Sequence, residues 1–248
     1  MSASQNLEYF QKALDFIEVS KLANNLDDLG SAFQQTVASF GYDYYACVSS
    51  VNFGAMPDGA VFLAVYPEDW ASHYIENDLG KHDRIIEVAM KHHMPFNWED
   101  PIVRVGMKAN QIDLQNQAGD VGLLYGVTIP IHVIGAFPGS VSVVGRYSDI
   151  APEAEHAVHL MGVYLHDAAL RITLNSEQKN DYIVKLSHRE KECLKWVASG
   201  KTDWEIGNIL TIAERTAHTH IERAKRKLGV HTRVQAVVKA FLTNSILL

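Results

Sequence analysis

The chain contains only two cysteines, Cys47 and Cys193, among its 248 residues. This number excludes a small disulfide-stabilised scaffold, and because both lie in apolar surroundings we expect them to be reduced packing residues. No apolar run reaches the roughly 18 residues of a membrane-spanning helix, and no secretory signal peptide opens the chain. We therefore expect a soluble, cytoplasmic protein that does not bind a membrane.

The sequence also lacks the common signatures of catalysis. It has no Gly-rich phosphate loop, no GxSxG nucleophile elbow and no cysteine beside a recognisable base. Three of the 12 histidines, His156, His159 and His166, fall on one predicted helix, but no cysteine or carboxylate pattern of a metal site accompanies them. We expect no enzymatic activity, no metal and no cofactor. An enzyme with an aromatic active-site pocket stays an alternative, which turnover of its ligand would reveal.

Charge divides the chain into two parts. Residues 181–248 hold 12 Lys and Arg against 7 Asp and Glu, whereas residues 1–180 hold 10 against 22. A basic module on an acidic body indicates one part that attracts phosphate and one with another task. The most polar run lies at residues 173–185, so we predict an N-terminal domain over 1–172, a linker over 173–185 and a C-terminal domain over 186–248.

Helical and strand patterns alternate in the N-terminal part. Helical periodicity predicts helices at residues 7–23, 26–40 and 152–171. Runs rich in β-branched and aromatic residues predict strands at residues 44–51, 60–65, 127–134 and 140–145. Helices flanking a mostly antiparallel sheet form an α/β sandwich, which can hold a pocket between sheet and helices.

Three helix start signals follow one another in the C-terminal part. Ser187 with Glu190, Thr202 with Glu205 and Thr211 with Glu214 each have the spacing of a capping box. The first helix places Cys193, Leu194, Val197 and Ala198 on its apolar face, and the second turns Ile206, Ile209 and Leu210 inward. The third buries Ala217, Ile221, Ala224 and Leu228. This layout predicts an all-α helix-turn-helix domain that binds DNA.

The third helix leaves a polar, basic face outward, as a helix in the major groove requires. We expect His218 and Glu222, one turn apart, to contact base edges. The residues better placed for phosphates are Lys201, Thr202, Arg215, Thr219 and Lys225. The same outward face also carries Thr216 and Arg223.

These C-terminal residues resemble the DNA-binding domain of LuxR-type quorum-sensing regulators. Glu190, Leu194 and Gly200 match the positions most typical of that family, and the runs GKT at 200–202, EI at 205–206 and KLGV at 227–230 match its wider pattern. Two positions depart from it. Gly207 stands where alanine is usual, and Ala213 stands where a serine often caps the recognition helix, a task that Thr211 would take over.

The N-terminal part resembles the ligand domain of the same family in order and spacing. Trp70 is followed four residues later by Tyr74, and Asp83, Trp98 and Gly126 then follow at successive intervals of nine, fifteen and twenty-eight residues. Tyr66 and Ser142 fall where family members carry polar pocket groups, and GLLYGVTIPIH at 122–132 resembles a typical family stretch. Without this spacing, the aromatic residues would be equally consistent with an ordinary core.

The resemblance implies an N-acyl-homoserine lactone as ligand. Trp70 would donate to the lactone carbonyl, Asp83 would accept from the amide N–H, and Tyr66 and Ser142 would donate to the acyl carbonyl. Tyr74 and Trp98 would wall the pocket, and Gly126 would leave room for close packing. Losing the amide would leave Asp83 without its partner, so the pocket would discriminate against ligands that lack one.

Arg84 departs from the family, which usually has proline after the aspartate. In an extended segment Asp83 and Arg84 point to opposite sides, so we expect Arg84 in solvent. A second interpretation is that Arg84 meets a polar or aromatic acyl group of the ligand.

The resemblance implies a ligand-responsive regulator that binds a palindromic promoter site as a homodimer and contacts RNA polymerase. Two alternatives stay open beside it. One is a solo regulator of the same fold that senses another small molecule. The other is a response regulator, although residues 1–120 lack the clustered acidic residues and the later lysine that its receiver domain needs.

Overall fold

The computed structural model describes residues 3–133, 136–177, 186–242 and 245–246. Its contacts divide the chain into two compact units, one that ends at Glu177 and one that contains the C-terminal helices. Each unit has its own hydrophobic core.

One antiparallel sheet forms the middle of the first unit. Its five strands are β1 (Tyr44–Ser49), β2 (Phe62–Val65), β3 (Phe96–Asn97), β4 (Tyr125–Ile131) and β5 (Gly139–Gly145). They lie in the order β2-β1-β5-β4-β3, and every neighbouring pair is antiparallel. The four predicted strands and the antiparallel sheet are confirmed, whereas the two-residue β3 was too short to give a sequence pattern.

Seven helices surround this sheet in the described part of the first unit. They are α1 (Ala3–Leu22), α2 (Leu26–Ala38), α3 (Glu68–Glu76), α4 (Arg84–Lys91), α5 (Pro101–Arg104), α6 (Ala109–Asp120) and α7 (Pro152–Glu177). The three predicted helices correspond to α1, α2 and α7, and the shorter helices between β2 and β4 were not predicted. Because α7 continues to Glu177, the first five residues of the predicted linker 173–185 are helical. Its remaining residues, 178–185, lie outside the described part.

The two faces of the sheet have different partners because side chains alternate along each strand. Tyr45 and Cys47 on β1, with Val141 and Val143 on β5, are fully buried against the layer formed by α1, α2 and α7. The opposite face packs against a smaller core from α3 to α6, to which Trp70 and Trp98 belong. The predicted α/β sandwich is therefore confirmed, and its second face is where the ligand cavity lies.

The second unit consists of α8 (His188–Ala198), α9 (Asp203–Leu210), α10 (Glu214–Leu228) and α11 (Arg233–Leu242). The capping boxes of Ser187 with Glu190 and of Thr202 with Glu205 are both present, as predicted. The four predicted core positions of α10 are all buried. The fourth helix, α11, was not predicted, although Thr232 and Gln235 exchange the hydrogen bonds of a further capping box at its start.

Three expectations for this unit are wrong. Thr211 does not cap α10, because it ends α9 in the left-handed conformation with φ 55° and its N–H donates to the carbonyl of Gly207. The N-cap of α10 is Ala213, whose side chain cannot accept a hydrogen bond. Ala198 and Ile209, both expected inside, are exposed.

Candidate functional site

A cavity of about 440 Å³ lies between the second face of the sheet and helices α3, α4 and α6. Six of the seven residues predicted to bind ligand line it, namely Tyr66, Trp70, Tyr74, Asp83, Trp98 and Ser142. The structure thus brings together residues from five separate segments. Further lining residues that sequence reasoning missed include Phe53, Phe62, Gln111 and Ser140.

Two hydrogen-bond donors in the cavity wall are available for a ligand. Trp70 on α3 is buried, and its indole N–H has no hydrogen-bond partner among the described residues. The hydroxyl of Tyr66, which follows β2, likewise has no hydrogen-bond partner among the described residues. Burial, together with the charge of Asp83, raises the pKa of Tyr66, so this phenol keeps its proton near neutral pH. Both groups can therefore donate to carbonyl oxygens of a bound molecule.

Asp83 is a half-buried acceptor held in place from two sides. It is the N-cap of α4, where Oδ1 accepts from the backbone N–H of Ile85 at 2.7 Å, and its Oδ2 accepts from the Tyr74 hydroxyl at 2.7 Å. Burial raises the pKa of Asp83, while these two hydrogen bonds oppose the rise. Since each carboxylate oxygen has two lone pairs, Asp83 can accept one further N–H from a ligand.

Ser142 is held by a chain of hydrogen bonds that begins at Trp98. The indole N–H of Trp98 donates to Oγ1 of Thr128 at 2.9 Å, and Thr128 Oγ1 lies 2.8 Å from Oγ of Ser142. Thr128 is fully buried on β4, directly opposite Ser142 on β5. It was missed because it carries no family signature, and only the strand register places it beside Ser142.

Gly126 is the one predicted ligand residue that does not line the cavity. It lies behind Trp98, where a Cβ atom at position 126 would be 2.6 Å from Cε2 of the indole. Its backbone carbonyl accepts from the backbone N–H of Trp98 at 2.9 Å. Gly126 thus provides the flat backbone surface against which the Trp98 ring packs.

Arg84 does not extend into solvent, so that expectation is wrong. Its guanidinium donates to the backbone carbonyls of Ile102, Val103 and Val105, and it pairs with Glu87 at 3.3 Å. The alternation of an extended segment does not apply, because α4 begins at Arg84 itself. Arg84 joins α4 to the last carbonyls of α5, and its side chain contributes to the cavity wall.

The second unit presents α10 with a polar face opposite its buried stripe. Two further residues predicted to contact DNA, Lys201 and Thr202, lie just before α9. The residues of the polar face of α10 are Arg215, Thr216, His218, Thr219, Glu222, Arg223 and Lys225. All of them are exposed or half-buried. Among the described residues, Arg215 and Arg223 form no ion pair and are therefore available to phosphates.

Several residues of this face already have partners within the unit. Nδ1 of His218 lies 2.8 Å from Oδ2 of Asp203 on α9, and Nζ of Lys225 lies 2.6 Å from Oε1 of Glu222. Both predicted base-contacting residues are thus held in place before DNA arrives. Thr202 caps α9 by accepting from the backbone N–H of Glu205 at 3.3 Å, so its side chain stabilises the helix in addition to any contact with phosphate.

No helix in the described ranges is long and apolar enough to cross a bilayer. Within the same ranges, no three His, Cys, Asp or Glu side chains converge on a point where they could hold a metal ion. The three histidines of α7 are spread along the helix, where the rings of His156 and His159 meet edge to face at 6.2 Å.

Two family descriptions match successive parts of the chain. Residues 25–169 match the autoinducer binding domain, and residues 184–240 match the bacterial regulatory proteins of the luxR family. The first match contains the whole cavity, and the second contains α8 to α10 and most of α11.

Relatives and solved structures agree with this division. The transcriptional activator protein AhyR of Aeromonas hydrophila is 30% identical over 231 residues, which are 91% of this chain and 88% of AhyR. The transcriptional activator protein LuxR of Aliivibrio fischeri is 29% identical over 98% of this chain and 96% of its own length. The crystal structure of Escherichia coli SdiA has the same fold, with a TM-score of 0.72, 23% identity and coverage of 97% of this chain and 100% of SdiA. The chain therefore belongs to the LuxR family of transcription regulators, with an autoinducer-binding domain followed by a helix-turn-helix domain that binds DNA.

Proposed function

We propose that the ligand of this regulator is an N-acyl-homoserine lactone bound in the cavity of the first unit. The observation that supports this most is the set of polar groups on an otherwise apolar wall. The free N–H of Trp70 and the free O–H of Tyr66 are donors, and Asp83 is a half-buried acceptor. A lactone with an amide-linked acyl chain offers the complement, two carbonyl oxygens and one N–H.

Each polar group of the lactone then has at least one partner in the cavity. Trp70 donates to the lactone carbonyl, and Asp83 accepts from the amide N–H through a lone pair that Tyr74 and Ile85 leave free. Tyr66 and Ser142 donate to the acyl carbonyl. The rings of Tyr74 and Trp98 bound the ligand, and Gly126 supports Trp98 from behind.

Thermal unfolding of the full chain against a panel of acyl-homoserine lactones tests this assignment. A ligand that binds only the folded state stabilises it by mass action, by about 4 kcal/mol at a thousandfold excess over Kd. We expect one class of lactone to raise Tm, and Trp70→Phe to lose most of that rise because it removes only the indole N–H and part of the ring. Trp204→Phe is the matched control, since Trp204 is 61% exposed on α9.

A second candidate ligand is an acyl compound without a lactone. SdiA, whose fold this chain shares, has been solved in complex with octanoyl-rac-glycerol. The panel therefore includes that compound. A rise in Tm with octanoyl-glycerol and with none of the lactones would replace the lactone by another acyl ligand, and no rise with any compound would contradict the proposed function.

We further propose that the regulator binds a palindromic promoter site as a homodimer. The recognition helix α10 would enter the major groove, with His218 and Glu222 at base edges and Arg215, Arg223 and Lys225 near phosphates. Selection of bound sequences from random DNA should yield two half-sites whose centres lie about one helical turn, roughly 10 base pairs, apart. Recovery of a single half-site, with a monomer in sedimentation, would contradict the dimer.

The two base-contacting assignments make different predictions from the phosphate assignments. Glu222→Ala should relax the selected sequence at one position, because a glutamate accepts from a cytosine amino group. Lys225→Ala should weaken all DNA alike and lower the salt dependence. Because Lys225 pairs with Glu222, the double variant is needed as well. If Glu222→Ala lowered affinity equally on every sequence, the assignment of Glu222 to base contact would be wrong.

A further inference from the structure

A second hollow, of about 270 Å³, lies at the edge of the sheet where β3 and β4 meet the first turn of α7. The Trp98 ring separates it from the ligand cavity, since Trp98 lines both. The residues that determine its chemistry are Tyr42, Trp98, Glu99, Asp100, Tyr125 and Glu155. None of the roles assigned above uses this hollow.

The hollow is acidic. Glu99, Asp100 and Glu155 contribute three carboxylates, and among the described residues that line it there is no lysine, arginine or histidine. Asp100 uses one oxygen to accept from the backbone N–H of Asn97 at 2.8 Å. The half-buried Glu155 has only one long contact, from Nδ2 of Asn97 at 3.4 Å, so its carboxylate keeps most of its capacity to accept.

A buried hydroxyl without a partner lies in the wall beside these carboxylates. Tyr42 is 2% exposed, and its Oη has no hydrogen-bond partner among the described residues. A buried polar group without a partner is costly and is found where a missing molecule would satisfy it. Burial, and then the charge of Glu155, raises the pKa of Tyr42, and both residues line the same hollow.

Two other kinds of ligand fit this hollow poorly. A metal ion is disfavoured because the carboxylates of the described residues do not converge closely enough to coordinate one. An anion is disfavoured because the first turn of α7 already carries Glu153 and Glu155, whose charges oppose the positive end of the helix dipole.

We propose that this hollow binds a small organic ammonium ion, a primary amine or short diamine. One ammonium N–H donates to the Glu155 carboxylate and another donates to Oη of Tyr42, which supplies the partner that this hydroxyl lacks. Tyr125 and Trp98 add two aromatic side chains to the lining of the hollow, and aromatic rings attract cations. Such a ligand is chemically unlike an acyl lactone, so the inference stands apart from the proposed function.

Isothermal titration calorimetry on the purified full chain tests the site. The probe is 1,4-diaminobutane at constant ionic strength, with 1,4-butanediol as its uncharged counterpart. We expect one saturable site for the diamine and none for the diol. Glu155→Gln should weaken binding by about 10- to 100-fold, as a charge-assisted hydrogen bond is worth ~1.5–3 kcal/mol. Tyr42→Phe should weaken it by about 2- to 10-fold, as expected for a neutral hydrogen bond.

Glu153→Gln is the matched control, because it removes the same charge from the same helix turn without lining the hollow. Its affinity for the diamine should stay within about twofold of the unchanged chain. If Glu155→Gln fails to fold, the exposed Glu99→Gln replaces it, again with an expected loss of affinity. Absence of saturable diamine binding, or equal effects of the Glu155 and Glu153 variants, would overturn the proposal.

Discussion

The hydroxyl of Tyr74 donates to Oδ2 of Asp83 across 2.7 Å, and the two residues lie on different segments of the cavity wall. Tyr74 is in the last turn of α3, whereas Asp83 caps α4. The acceptor of the cavity is therefore oriented by the protein itself before a ligand adds its own donor. Tyr74 therefore orients Asp83 in addition to lining the cavity.

Replacing Tyr74 by phenylalanine should destabilise the protein without ligand. The change leaves Oδ2 of the half-buried Asp83 without a donor, which costs about 1–3 kcal/mol. Urea unfolding without ligand measures this loss. Tyr147→Phe serves as the control, because Tyr147 is 71% exposed and its hydroxyl is in water. Equal stabilities of the two variants would show that the bond between Tyr74 and Asp83 contributes nothing.

The free energy of unfolding should decrease as the pH is lowered, because of His166 on α7. Burial lowers the pKa of this imidazole to about 4, whereas an unfolded histidine titrates near ~6.5. Between these values the unfolded chain binds one more proton, so the free energy of unfolding decreases as the pH falls from about 6.5 towards 4. His166→Leu should remove on the order of 2.5 kcal/mol of the difference between unfolding at about pH 7 and about pH 4.5.

The control for His166 is His156→Leu, since His156 is exposed on the same helix. This variant should keep the pH dependence that His166 causes, because the charge of His156 acts on the neighbouring His159 and not on His166. Urea unfolding of the three proteins at both pH values decides the matter, and an unchanged pH dependence in His166→Leu would contradict the role of His166.

Arg84→Ala should lower stability by about 1–3 kcal/mol, because three backbone carbonyls at the end of α5 lose a charged donor. Arg84→Pro should lower stability by up to ~1 kcal/mol less than Arg84→Ala does, since proline fits the first position of a helix and restricts the unfolded chain. Thermal unfolding compares both with Arg104→Ala, whose exposed guanidinium makes only a 3.4 Å bond to Gln115. A neutral Arg84→Ala would refute the bridging role of Arg84.

Gly126→Ala should damage the ligand cavity from behind. The added methyl would lie 2.6 Å from Cε2 of Trp98, so the ring must move and its bond to Thr128 is strained. Overpacking of this kind costs about 1–3 kcal/mol, and ligand affinity should fall with it. In Gly119→Ala the methyl meets only the exposed Leu124 side chain at 3.1 Å, so unchanged Tm and affinity are expected there. Identical behaviour of the two variants would rule out Gly126 as the support of Trp98.

Asp203→Asn should reduce sequence discrimination by α10 without weakening DNA binding in general. Asp203 holds the imidazole of His218 at 2.8 Å and lies 3.4 Å from the guanidinium of Arg233. Removing its charge frees the imidazole to rotate, so preference at the base pair that we propose His218 contacts should decline. Binding to operator variants over a salt series measures this, with Glu192→Gln on α8 as the control. A uniform loss on all sequences would show that Asp203 only stabilises the unit.

Some kinds of residue pattern predicted the structure better than others. Periodic helices such as α7 and boxes such as Thr202 with Glu205 depend on interactions within one or two turns, so they were found. The N-cap of α10 was wrongly predicted at Thr211. The structure has it at Ala213, because Gly207 allows the carbonyl of Ile212 to approach to 2.9 Å from the position of a Cβ atom. That close approach lets the chain turn sharply and begin α10 two residues later.

The site shows the same limit. Trp70 and Asp83 were identified by spacing, whereas Thr128 has no sequence signal and acquires its role from the register of β4 against β5. The contacts of Arg84 were also missed, since its three acceptors lie 18 to 21 residues further along the chain.

By itself the sequence determined the two-part organisation, the helix-turn-helix layout, the family and several of the polar residues that line the cavity. These features depend on composition, on local periodicity and on motifs at fixed spacing, which a linear chain displays directly. Only the tertiary structure decided which donors are free, that Arg84 bonds to α5, that Asp203 holds His218, and that a second hollow lies behind Trp98. Those relationships depend on distances between residues far apart in sequence, and packing sets such distances only when the whole chain has folded.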